Sequence, residues 1–162
     1  MYLEGMDYLL ECGVSIHCEC IPGNHDELIS RGLMAALWAA YRDEPRVSFG
    51  NFAASHAFHL YGSTLLIGHH GHGEKKAKDL ASTADVWLRD MDESARHRYA
   101  LTGNLHHLDV KEANGLILLQ QPSPAASDLY HAQNGYAKSR AATFAAYFSP
   151  DQGLLDLRYI GW

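Results

Sequence analysis

The stretch Ile21-Pro22-Gly23-Asn24-His25-Asp26 stands where an alternating strand pattern stops and a helical pattern begins, and its reading decides the fold. An amide oxygen, an imidazole and a carboxylate in consecutive positions at a helix N-terminus form a compact set of metal ligand, proton donor and orienting anion. That is a phosphate-handling arrangement. The same residue types also crowd ordinary strand-to-helix turns, where glycine permits unusual dihedrals and Asp or Asn caps the helix. Two further clusters separate these readings. Gly68-His69-His70-Gly71-His72-Gly73 and Gly103-Asn104-Leu105-His106-His107 also end strand-like runs, and six of the eleven histidines fall in the three clusters.

Around these turns the pattern alternates between helix and strand. Leu3, Met6, Leu9 and Leu10 at helical spacing predict a helix over 2–12 with Gly13 as its stop. Alternation over 14–20 predicts a strand running into the first cluster, and Leu33, Met34, Leu37, Trp38 and Tyr41 mark the core face of a helix over 26–41. Strands are expected over 46–49, 52–60 and 63–67, the last two joined by a tight turn at Tyr61-Gly62, then a helix over 75–91 and a strand over 97–101. Asn114-Gly115 between 109–113 and 116–120 signals a two-residue hairpin turn. A short helix opening at Ser123-Pro124 and a hairpin of 140–148 with 154–160 complete the chain. Every candidate site residue thus sits on a turn after a strand, where ligands gather in α/β folds.

The bulk properties set bounds. At 162 residues, 47% hydrophobic and 20% charged, the chain reads as one globular domain over 1–162, without an apolar run long enough to span a membrane or an export signal, so a cytoplasmic site is expected. Cys12, Cys18 and Cys20 suit reduced thiols better than a disulfide framework. A zinc knot of His17, Cys18 and Cys20 is disfavoured because alternate strand residues face opposite sides of a sheet. The net charge of -6 argues against holding nucleic acid by phosphate neutralisation, though bound divalent metal would supply positive charge locally. Lys75, Lys76 and Lys78 read as a solvated helix face.

The order Gly-Asn-His-Asp, a strand ending in His-Gly, and a strand ending in a Gly-His-x-His-like turn resembles the calcineurin-like metallophosphoesterases. The third cluster and the run 123–131 leading to Gly135-Tyr136 are similar to phage and bacterial members related to the Mre11/SbcD-type nucleases. The resemblance implies a layered sandwich of mixed β-sheets flanked by helices. It implies a two-metal site working on phosphoesters, phosphodiesters or nucleic acid included, with manganese, or iron, zinc or magnesium, about 4 Å apart. By position, Asn24 would ligate the second metal, His25 would protonate the leaving oxygen under the orientation of Asp26, His70 would be a second-metal ligand with His69 or His72 less favoured, and His106 would bind the first metal.

Two departures qualify the match. Asn104 stands where the family has a second-metal imidazole, and a neutral amide is a weaker ligand. The chain contains no Asp-x-His motif and no Gly-Asp pair, the motifs that supply most first-metal ligands and the bridging carboxylate. It is therefore expected to be the C-terminal portion of such a fold, with an exposed sheet edge or apolar face near its N-terminal strand and a homo-oligomer or partner subunit supplying what is missing. Asn24, His25, His70 and His106 are expected to converge on one rim. The alternative is a degenerate, non-catalytic module that keeps the fold for binding or assembly.

Overall fold

Helix α1 (Tyr2–Glu11) ends where the sequence places its stop: Val14 N–H donates to Leu9 O (3.4 Å) and Gly13 N–H to Leu10 O (3.0 Å), the paired bonds of a Schellman cap. Strand β1 (Ile16–Cys18), helix α2 (Glu27–Tyr41) and strand β2 (Val47–Phe49) follow. β1 and β2 pair in parallel, Ile16 opposite Val47 and Cys18 opposite Phe49, with α2 as the crossover. The β1 ladder is shorter than the alternation over 14–20 because Val14 is spent on the helix cap and β2 stops at Phe49, where Gly50 N–H closes on Cys18 O (2.9 Å).

In this computed structural model the described residues are 2–51, 54–71, 80, 82, 94–125 and 141–162. The chain divides into two compact units, 1–57 and 58–162, each with its own core. In the first, Met6 of α1 and Met34, Leu37 and Tyr41 of α2 are buried, with Leu10, Ile16, Cys18, Cys20, Val47 and Phe49 packed around them. The Tyr41 hydroxyl donates to Asp7 Oδ1 (2.7 Å), tying α2 to α1, and this bond holds the phenol's pKa up to about 12. His17 faces the other way, with Nδ1 on Ser48 Oγ (2.8 Å) and Nε2 on Glu19 (3.0 Å). It therefore lies off the face that carries Cys18 and Cys20, as the pleat requires. All three cysteines are free thiols, and burial pushes those of Cys18 and Cys20 up. Among the described residues the β1–β2 sheet has two strands, and Tyr2, Leu3, Tyr8 and Leu9 on α1 and Val14 after it are exposed.

The second unit is built on a five-stranded mixed sheet, order β3-β4-β5-β7-β6, from β3 (His56–Tyr61), β4 (Thr64–His69), β5 (His97–Thr102), β6 (Asp109–Ala113) and β7 (Leu116–Gln120). The mixed α/β architecture expected from the sequence is the one observed. β4, β5 and β7 run parallel, Leu66 opposite Tyr99 and Ala100 opposite Leu118. β6 returns antiparallel through Asn114 (φ 51°) and Gly115 (φ 72°), the pair of positive dihedrals that a type I′ turn requires. Central parallel strands are buried on both faces and so read as apolar runs: Leu65, Ile67, Ala100 and Leu116 are fully buried, and Leu80 packs against them.

β8 (Ala142–Ser149) and β9 (Gly153–Gly161) form a separate antiparallel hairpin with a bulge opposite Tyr147 and Phe148. It is tied to the start of the central strands by Thr64 Oγ1 to Ser149 O (2.7 Å), Leu154 N–H to the Tyr99 hydroxyl (2.9 Å) and the Tyr99–Phe148 ring contact at 5.0 Å. Ala142 N–H to Ser123 O (3.0 Å) ties its far end to the segment after β7. The expected strand over 52–60 begins only at His56. The expected helix over 75–91 lies outside the described residues except for Leu80 and Ser82, and that opening at Ser123-Pro124 is described only to Ala125. Among the described residues no helix is long and apolar enough to cross a membrane.

Candidate functional site

In the first unit the turn 24–26 lies between β1 and α2, as its residue types predict. Asp26 occupies the N-cap position but makes no side-chain bond to the helix; its Oδ1 instead accepts the N–H of Gly23 (2.7 Å). The carboxylate thus closes the turn on itself, and its charge adds to the burial that raises the Cys20 thiol. Asn24 and His25 precede it in the same exposed turn. Asp26 therefore fixes the turn that carries them, whereas ordinary capping would have turned it toward the N2 and N3 amides.

In the second unit the parallel pairing of β4 with β5 does the positioning. Equal register brings His69 opposite Thr102, so the residues that follow, His70-Gly71 and 103–107, leave the sheet side by side. Gly103 N–H donates to His70 O (3.2 Å) and Asn104 Nδ2 to Gly71 O (3.5 Å), binding the two loops together. The approach is close enough to demand glycine: Gly71 has φ +94°, and a Cβ there would meet Gly103 O at 3.1 Å. β7 adds a third loop. Gln121 N–H donates to Thr102 O (2.7 Å), and Gln120 Nε2 to His107 O (2.9 Å). Asn104 (φ 66°) and His106 (φ 57°) both take left-handed dihedrals, which side-chain-bearing residues hold only where surrounding contacts over-determine them.

The imidazoles of these loops differ in which nitrogen carries the proton. Buried His69 accepts the Gly71 N–H on Nδ1 (3.1 Å), so its neutral ring carries the proton on Nε2 and offers that side as a donor. His107, exposed, presents Nδ1 to the carbonyl of Leu105 (2.7 Å); a carbonyl only accepts, so Nδ1 holds the proton and Nε2 keeps its lone pair. That is the tautomer a metal-binding or proton-accepting imidazole needs. By residue pattern His107 has no role beyond its position beside His106, and its ring orientation depends on a loop carbonyl that no residue pattern encodes.

The structure brings together His70, Asn104 and His106 on adjoining loops of the second unit, while Asn24, His25 and Asp26 share one turn of the first. His72, a weaker candidate, lies outside the described residues, as do Lys75, Lys76 and Lys78 and the run that leads to Gly135-Tyr136. The nearest acid after the 103–107 loop, Asp109, is paired with Lys111 on β6. Among the described residues no three His, Cys, Asp or Glu side chains come together in a group able to hold a metal ion. Two imidazoles and an amide with no carboxylate lack the bridging anion that a pair of divalent cations requires, so these residues do not by themselves fit a two-metal centre.

No protein-family model matches the chain, and no curated protein does. Among solved structures it is similar to a double mutant of Vps29 from Entamoeba histolytica, at 17% identity over 93% of this chain and 84% of that chain, with a TM-score of 0.46. It is similar also to wild-type Vps29 of that organism complexed with Zn2+, at 15% identity over 92% and 83%, TM-score 0.45. A third is a conserved uncharacterized protein of Streptococcus pneumoniae described as a predicted phosphoesterase, at 16% identity over 91% and 96%, TM-score 0.34.

Proposed function

We propose that the chain carries one half of a metal-dependent phosphoesterase site, of phosphodiesterase or nuclease-like type, and that it turns over substrate only when carboxylate ligands are supplied from outside its own described residues. The observation that supports this reading most is the coupling of the His70 and Asn104–His106 loops at the ends of two parallel strands, with left-handed backbone at Asn104 and His106. In this reading His70, Asn104 and His106 are the metal donors of the second unit, where a bound divalent ion would neutralise charge on a phosphoester, and Asn24 is the donor that the first unit carries. His25 protonates the leaving oxygen on the turn that Asp26 braces. His70 is preferred to His69 as the donor because the resemblance places the ligand immediately before Gly71.

A second reading, a non-catalytic module for binding or assembly, has one specific support: Asn104 stands where the resemblance places an imidazole, and a neutral amide is a weaker ligand. Calorimetric titration with Mn2+ separates the two. The half-site reading expects weak binding of at most one ion, lost in His70→Ala and strengthened in Asn104→His. Binding indifferent to both substitutions would leave the assembly reading in its place.

A further inference from the structure

We infer that β9 is a self-pairing edge through which two copies of this chain associate as an antiparallel dimer. Nothing in this rests on the phosphoesterase reading. Among the described residues β9 has β8 as its one neighbour in a two-stranded sheet, and it is exposed along most of its length: Leu155 60%, Tyr159 47%, Ile160 48%. A strand of this length with several exposed apolar side chains and no lysine or proline has, as its guards against edge pairing, one bulge and two charges of opposite sign. Its two charges, Asp156 and Arg158, are of opposite sign and two residues apart, so they share one face.

That spacing makes the strand complementary to itself. An antiparallel pair about a two-fold axis at Leu157 sets Asp156 of one copy opposite Arg158 of the other, twice. It sets the two Leu157 residues opposite each other on the axis. Directly opposed residues lie on the same face of a pair, so the ion pairs form on one side and the Leu157 contact on the other. Within one copy Asp156 already pairs with Arg158 (2.8 Å), with both side chains largely open to solvent at 46% and 69%. Each charge can therefore exchange its own-strand partner for the identical group on a second copy without desolvating a buried ion. The bulge opposite Tyr147 and Phe148 falls at Leu155, outside the central Asp156 to Arg158 segment that sets the register.

Sedimentation velocity of the full chain across a dilution series is the test. The wild type should show a concentration-dependent dimer. Asp156→Arg and Arg158→Asp should each shift it to monomer by opposing like charges, and the double exchange Asp156→Arg/Arg158→Asp should restore the dimer. Arg158→Gln, which removes attraction without adding repulsion, should weaken the dimer less than Arg158→Asp does, an ordering that holds even if charge reversal perturbs the hairpin. A wild type that stays monomeric throughout the series, single exchanges that leave the dimer intact, or a double exchange that fails to restore it would each overturn the assignment.

Discussion

Gly71 sits at the closest approach of the two loops in the second unit, and a side chain there meets both a left-handed φ and the carbonyl of Gly103. Gly71→Ala is expected to destabilise by about 1 to 3 kcal/mol, the range for forcing a side-chain-bearing residue into such a region, read as a shifted midpoint in urea unfolding. Tyr41 gives a prediction in pH. Its folded pKa, raised to about 12 by the hydrogen bond to Asp7, lies above the ordinary phenol value near 10. The protonated form is favoured by folding, so its stabilisation is fully present below about pH 10 and is lost as the pH rises from there through 12. Tyr41→Phe should flatten that alkaline decline; an unchanged decline would show that other groups cause it.

At the level of elements, the β6–β7 hairpin was the most legible part of the chain, because Asn114-Gly115 specifies a turn whose two positive dihedrals few other pairs adopt. Gly115→Ala should therefore cost about 1 kcal/mol, whereas Asn114→Gly should be nearly neutral; thermal unfolding of both variants checks this. Other boundaries were set by neighbours that a local pattern does not contain. β1 stops at Cys18 because β2 ends at Phe49, far along the chain. His69, which reads as part of a turn, is the last buried residue of β4 because Thr102 pairs with it. The candidate residues were legible through their types and spacing, but the tautomers of His69 and His107 were not, since each depends on a backbone group of its folded loop.

For the whole molecule, two units with separate cores carry different parts of the candidate set: a turn with Asn24, His25 and Asp26 in one, and the paired loops with His70, Asn104 and His106 in the other. What the residues lack is as decisive as what they hold, for the chain has no Asp-x-His motif and no Gly-Asp pair to supply a bridging carboxylate. Two cations without such an anion repel one another and share no hydroxide with which to attack phosphorus. The most direct test is hydrolysis of bis-p-nitrophenyl phosphate by the purified 162-residue chain with Mn2+ present. The expected result is no turnover by the chain alone or by Asn104→His, and turnover once a segment carrying the two absent motifs is fused or co-expressed. Turnover by the chain alone that His25→Ala abolishes would contradict the half-site and show that a different ligand set completes it.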